Sequence, residues 1–386
     1  MPRNPWRLPI LVLLTAILTL LVAMALPAPS RTQPLRPELR GVWMTANDMP
    51  TLRDRQRLGL ALDQLSRLGF NTIYPVVWNS GTTYYPSAAM GRRGFQSFTF
   101  KGLQGQDLLA EVIAQGHARG LRVIPWFEFG FMVPPSSEIA ALHPDWLSQR
   151  RDGGTTSISA AGEVAWLNPF HPEVQAFLSE LVLEVVAGYD ADGIQFDDHL
   201  SLPNAFGYDP TTVAQYRREA KRPPPTNAAD PAWVQWRADR ITTVVAGLRQ
   251  TIRSRKPMVL VSISPNYHDF AFKLQLQNWL AWVRRGLVDE VVVQLYRPDI
   301  ESFSAQLNRP EFDESRAKVT TAIGIMAGQR QDPVPMERVI AQARAARQRG
   351  LGVVFFSFET LWEHTAEPEE TRLQGLRDVL AGSVGP

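Results

Sequence analysis

DGIQFDDHLSLP, residues 192–203, starts as an apolar strand and ends in two adjacent carboxylates, Asp197 and Asp198, followed by His199 and a proline-punctuated loop. Like charges this close repel, and burial raises the pKa of at least one, so the pair is costly unless something uses it. Other apolar runs share the pattern of ending in polar groups. They lie at 40–45 (RGVWMT), 71–78 (NTIYPVVW), 121–129 (LRVIPWFEF), 259–265 (VLVSISP), 288–296 (VDEVVVQLY), 318–325 (KVTTAIGI) and 351–359 (LGVVFFSFE). With 192–198 this makes eight strands. Between them stand amphipathic stretches such as RQRLGLALDQLSRLG, DLLAEVIAQGHARG, HPEVQAFLSELVLEVVAG, WVQWRADRITTVVAGLRQTIRSR and MERVIAQARAARQRG, with apolar residues at helical spacing and glycine stops in several. Continuous apolar strands separated by helices predict a parallel sheet covered on both faces. Eight such units predict an α/β chain of the (β/α)8 TIM-barrel type with long βα loops. A doubly wound open sheet is the competing fold, but no G-x-G-x-x-G turn follows the first strand.

The longest insertions follow strands two, three and four, and all leave strand C-termini. In such a barrel the active site is built on that face, so these loops are expected to wall a cleft. Pro223–Pro225 and the TNAADP after them read as a surface linker inside the fourth loop rather than a domain boundary.

Ahead of the barrel, Arg3 and Arg7 precede the apolar segment 8–26, and Ala23-Met24-Ala25 offers an A-x-A cleavage pattern before LPAPSRTQP. This predicts export to the periplasm or cell surface. The segment is either a cleaved signal or a retained membrane anchor, because it is longer than a usual signal core and approaches the length of a span. Residues 1–31 are therefore taken as the export segment with its short linker, and 32–386 as the barrel. The 386 residues contain no cysteine, which excludes disulfides, thiolate metal sites and cysteine nucleophiles. Forty Lys+Arg against thirty-eight Asp+Glu, with no basic stripe interleaved with aromatics, give no reason to expect a nucleic-acid partner.

Polar and charged residues gather where the strands end: Asn47 and Asp48, Asn79, Glu128, Asp197 and Asp198, Asn266 with Tyr267 and His268, Gln294 with Tyr296 and Arg297, and Glu359. Gln195 and Asp197 are expected on one side of strand four, with Asp198 on the other unless the strand has ended. One aspartate could instead cap the following loop through local bonds to the backbone. Glu128 in WFEFGF and Glu359 in FFSFETLW lie in strongly apolar runs, so each must either pair with a cation or amide, or serve as a proton source through a raised pKa. Several carboxyl groups among aromatics at barrel strand ends are the equipment of glycoside cleavage. Trp43 and Trp126 read as core. Trp78, Tyr84 and Tyr85, in or beside a Gly/Ser/Thr-rich loop, are either core or a platform for sugar faces. Asn168 in WLNPFHP is either a cap-like loop residue or a ligand hydrogen-bonder.

Together ELRGVWMT, GFNTIYPVVWNSGTTYYPS, GLRVIPWFEF, HPDWL, WLNPFHPEV, DADGIQFDDHLSLP, VSISPN, VDEVVVQLYRPD and GVVFFSFETLW resemble the bacterial family-ten-like glycosyl hydrolases, a group that includes enzymes cutting peptidoglycan strands stripped of their stem peptides. The likeness runs from about residue 38 to about 380 in barrel order. It implies a TIM barrel with Asp197 and Asp198 at the centre of the site and Glu128 and Asn168 beside them. Two departures stand out: His199 replaces an aromatic expected after the paired acids, and the lipoprotein cysteine of some members is missing. The paired-aspartate strand end also looks like that of hexosaminidases in which the substrate's acetamido group is the nucleophile, one carboxylate orienting it and its neighbour acting as general acid.

The expectation is an exported glycoside hydrolase acting on an N-acetylated polysaccharide, with Asp197, Asp198, Glu128 and Glu359 as catalytic candidates. Trp78, Asn79, Tyr84, Tyr85, Asn168, His199, Asn266, Tyr267 and Tyr296 are the candidates for substrate binding. No catalytic metal or other cofactor is expected, while the loop carboxylates leave a structural cation open. FDD also occurs in metal-dependent deacetylases, but those need a histidine pair one helical turn apart, and the histidines at 117, 143, 171, 199, 268 and 364 include none. The other alternative, an inactive glycan-binding scaffold of the envelope, would not need Asp197, Asp198 and Glu128 together.

Overall fold

The computed structural model describes residues 38–96, 105–159 and 162–381. Residues 8–26, on which export and anchoring were read, lie outside the described residues, as does everything before Glu38. Among the described residues no helix is long and apolar enough to cross a membrane.

Eight parallel strand positions close into a barrel. They are β1 (Arg40–Met44), β2 (Thr72–Asn79), β3 in two pieces (Arg122–Val123 and Trp126–Phe127), β4 (Gly193–Asp197), β5 (Leu260–Ser264), β6 (Glu290–Gln294), β7 (Thr320–Met326) and β8 (Gly352–Phe356). β1 pairs with both β2 and β8, so the sheet has no free edge at the barrel wall. The strands agree with those read from the apolar runs to within a few residues. β3 is split at Ile124-Pro125, where proline has no N–H to give the ladder; its carbonyl still accepts from Gln195 N at 2.9 Å.

The outer layer includes α1 (Arg55–Arg67), α2 (Leu108–His117), α3 (Pro172–Gly188), α4 (Pro231–Arg255), α5 (Trp279–Arg284), α6 (Pro310–Lys318), α7 (Met336–Gln348) and α8 (Glu369–Leu380). Local sequence starts several of them. Asp54 and Asp230 accept from two backbone N–H groups each at the heads of α1 and α4, satisfying donors that the helix leaves orphaned. The insertion after β3 carries secondary structure of its own. It holds a three-stranded antiparallel sheet of Met132–Val133, Gly162–Trp166 and Thr156–Ser159.

The barrel interior is a ladder of polar side chains that climbs toward the strand C-termini. At its lower level Tyr74 and Ser262 hydroxyls donate to Glu290 Oε1 at 2.7 and 2.8 Å, with Arg122 3.7 Å from Oε2. One level up, Trp43 Nε1 donates to Gln195 Oε1 at 2.7 Å and Gln195 Nε2 to Ser262 Oγ at 2.9 Å. The strand period of two then carries β4 from Gln195 to Asp197 and β5 from Ser262 to Ser264, so the next level is the floor of the mouth.

Candidate active site

On that floor Asp197 Oδ1 accepts from Ser264 Oγ at 2.8 Å and from Gln294 Nε2 at 2.6 Å. β4 ends there, and Asp198 stands in the following turn, where Asn266 Nδ2 donates to its Oδ2 at 2.6 Å. Glu128, one residue beyond β3, accepts from the Asn79 amide. His199 joins the three acids: its Nδ1 is 2.9 Å from the Glu128 carbonyl, 3.4 Å from Asp198 Oδ1 and 3.6 Å from Asp197 Oδ2. The side chains of Asp197, Asp198 and His199 keep 7, 20 and 25% of their surface exposed, so the cluster is open to the barrel mouth.

Gly130 lets these pieces close up. Its φ is +50°, and a Cβ there would lie 2.4 Å from the His199 carbonyl oxygen, so no other residue fits without displacing the β4 turn. Phe131 N donates to that carbonyl at 3.0 Å, stitching the end of β3 to the end of β4.

The arrangement sets protonation states. Burial, with the charges of Asp197 and Asp198, pushes the Glu128 carboxyl up to about 8 against the donating Asn79 amide. Burial raises Asp198 to about 7, with Asp197 adding to it and His199 and Asn266 opposing. Burial opposes charge on His199, but Asp198, Asp197 and the Glu128 carbonyl outweigh it and raise the imidazole to about 10. Near neutral pH His199 is thus a cation between carboxyl groups, and Glu128 holds a proton.

The ligand atoms of Asp197, Asp198 and His199 lie within 4.8 Å of one another, close enough for a metal ion, as do those of Glu359, Glu363 and His364. In the first group His199 Nδ1 faces a carbonyl oxygen, which only accepts, so that nitrogen carries a proton and donates as the side chains stand.

Aromatic rings wall the mouth. Trp166 and Phe129 lie 6.1 and 5.9 Å from the His199 ring, and Tyr296 lies 5.8 Å from Phe356. The Tyr296 phenol is raised well above its usual pKa by burial and by the charges of Asp197, Asp198 and Glu128, so it stands among the acids. Tyr84 is buried beside Glu128, its pKa pushed up to about 12 by burial and that charge.

Four expected site residues are elsewhere. Trp78 is fully buried against Phe177 of α3, with Nε1 donating to the Gly130 carbonyl at 3.1 Å. Four residues after the inward Tyr74 it would face the mouth, but the register against β3 shifts between Val76 and Trp78, and the bulge turns Trp78 outward and Asn79 inward. Tyr85 is buried beneath α3, its hydroxyl 3.2 Å from the Leu181 carbonyl. Asn168 is structural: its amide donates to Asp209 at 2.7 Å and to Thr212 at 3.2 Å, while its oxygen accepts from Phe170 N, fixing the loop ahead of α3. Glu359 sits apart from the three acids, clamped by Arg330 at 2.6 to 3.0 Å beside Asp48.

Sequence reading also left residues out. Ser264 was missed, although the Ser262/Ser264 alternation in VSISP carried the signal for two inward polar side chains. Gln294 was seen at its strand end but not assigned to the site. Trp166 had no signal, since its place depends on the antiparallel sheet.

Residues 38–345 match the sequence family described as glycosyl hydrolase-like 10. The chain belongs to this family. Among relatives, glycosyl hydrolase DigH of Escherichia coli K12 is 27% identical over 312 residues, spanning 70% of this chain and 68% of that protein. Glycosyl hydrolase YngK of Bacillus subtilis is 26% identical, spanning 67% of this chain and 54% of its own length. The glycoside hydrolase domain of PgaB (BpsB) from Bordetella bronchiseptica superposes with a TM-score of 0.67 over 91% of this chain and all of that domain, at 16% identity, which bears on the fold. This glycosyl hydrolase-like chain is a glycan-acting enzyme, a glycoside hydrolase. Glu128, Asp197 and Asp198 all lie inside the family match, whereas Glu359 lies beyond its end.

Proposed function

We propose that this glycoside hydrolase is exported and cleaves an N-acetylated envelope polysaccharide, such as the glycan strands of peptidoglycan, with the substrate's own acetamido group as nucleophile. The observation that carries the reading is the pair at the end of β4: two adjacent carboxyl groups in unlike settings. Asp197 receives two donors on one oxygen, which suits a carboxylate that orients and polarises an acetamide N–H. Asp198, raised to about 7, is protonated often enough near neutrality to act as an acid and loses its proton easily enough to act as a base. In the first step the proton of Asp198 goes to the glycosidic oxygen as its bond to C1 breaks, and the acetamido oxygen closes on C1. In the second step Asp198, now a carboxylate, takes a proton from water, which opens the cyclic intermediate and restores the acetamide. The His199 imidazolium offsets the negative charge that gathers during this cycle. The apolar segment 8–26 behind Arg3 and Arg7 supports delivery to the envelope, with the segment either removed or retained as an anchor.

The test is to incubate the full chain with peptidoglycan glycan strands, with and without stem peptides, and to weigh the products, with Asp198→Asn run in parallel. Release of oligosaccharides by the wild type and not by the variant is expected. Binding without release from these strands or from chitin oligosaccharides would sink the reading.

A further inference from the structure

On the rim just beyond the acids, two neighbouring strand ends bring a cation and an aromatic ring together. Asn266, which holds Asp198, bridges Gln294, which holds Asp197, across the ends of β5 and β6. The next residue out on one side is Tyr267, and three residues past Gln294 on the other is Arg297. The Arg297 guanidinium lies over the Tyr267 ring, 5.1 Å from its centroid, and donates to the carbonyl of its own neighbour, Tyr296, at 3.1 Å. Arg309 lies 6.0 Å from the same ring, but its charge is spent on Asp269 and Glu311 at 2.6 and 2.7 Å. Among the described residues Arg297 has no such carboxylate partner. A guanidinium stacked on a ring is held in place while its edge stays free for a planar bidentate anion.

The cleft needs such a group for one class of substrate. His199, the cation of the acid cluster, already faces Asp197 and Asp198 at 3.6 and 3.4 Å, so a sugar carboxylate needs a cation elsewhere, and a rim guanidinium supplies one. We propose that Arg297, seated on Tyr267, is the specificity residue that receives a sugar carboxylate at this cleft; this rests on the N-acetylated glycan reading above. In peptidoglycan strands the muramyl lactyl ether ends in a carboxyl group, which a stem peptide converts to an amide. Arg297 therefore favours strands stripped of peptide over strands that bear it, and over uncharged N-acetylated glycans.

Steady-state kinetics of the full chain, Arg297→Gln and Arg297→Lys on stripped strands, and on the same strands with their carboxyl groups methyl-esterified, tests this. For the wild type, esterification raises KM about tenfold or more with little change in kcat, the effect of losing a charge-assisted contact. Arg297→Gln shows the same rise on the native strands and none further on the esters, while Arg297→Lys recovers part of it. Equal losses for Arg297→Gln on both substrates, or none on either, overturn the assignment while leaving the parent reading intact. If the wild type cleaves neither form and no chitin oligosaccharide, the parent reading fails and the assignment falls with it.

Discussion

Glu128 and Glu359 begin as near-twins. Each follows an aromatic run at a barrel strand end, WFE and FFSFE, and each is drawn into the protein at the C-terminal face. Their surroundings then diverge. Glu128 meets a neutral amide and two further carboxyl groups, so its proton is held up to about 8. Glu359 meets Arg330, whose guanidinium binds both of its oxygens, and His364 lies 3.6 Å away. The ion-paired acid is a structural anion, and the acid left among acids can move a proton. Arg330, the partner of Glu359, comes from the loop after β7, 29 residues away, so an apolar frame around a glutamate announces a buried carboxyl but not its use.

The comparison is sharpened most by removing an acid from the first cluster. Asp198→Asn should lower kcat/KM by about a thousandfold or more, the scale of losing a general acid together with its later role as base. In the wild type, kcat/KM should fall as pH rises through about 7, where free Asp198 gives up its proton. A flat profile between pH 5 and 9, or a variant within tenfold of wild type, would remove Asp198 from the chemistry.

Glu128→Gln comes next, and its readout is stability against pH. The folded-state pKa is raised above the ordinary carboxyl value, so the native state holds the proton more tightly than the unfolded chain. That contribution is full below about 4.5, fades as pH rises, and is lost once pH passes about 8. Replacing the acid by its neutral isostere should leave stability similar at pH 5 and raise it by about 1 to 3 kcal/mol at pH 9, the scale of an avoided buried charge. Activity should fall in the same variant, a trade expected where a site stores unfavourable charge. Equal stability gaps at both pH values would mean Glu128 is not the buried proton holder described here.

How much of this was legible follows from which interactions are local. The barrel could be read because eight apolar strands and their helices repeat along the chain, and period and order alone specify a parallel sheet. Asp197, Asp198, Glu128, Asn79 and Asn266 could be read because strand ends in this fold share one face. The acids' unequal settings could not, since Ser264, Gln294 and Asn266 reach them from other strands. Trp78 went astray because a bulge between Val76 and Trp78 inserts one residue and inverts the side chains after it, and Pro75 in TIYPVVWN signals an irregular ladder without fixing where the extra residue falls. Tyr85 beside Tyr84 looked like a sugar platform because its carbonyl and carboxylate partners, Leu181 and Glu184, sit about a hundred residues away on α3.

The second cluster offers the smallest effect and the strictest check. Arg330→Gln leaves Glu359, 8% exposed, without its cation, which should destabilise the fold. Because the Arg330 side chain is 50% exposed, water can replace part of what it supplied, and the loss should stay near 1 to 2 kcal/mol, a fall of a few degrees in Tm. Adding Glu359→Gln should recover most of that loss, since a neutral pair has no stranded charge to solvate. Throughout, kcat/KM on the glycan should stay within about threefold of wild type. If instead Glu359→Gln alone reduces kcat/KM as far as Asp198→Asn does, the ion pair is a resting arrangement that substrate opens, and the two glutamates would share the chemistry that their surroundings divide between them.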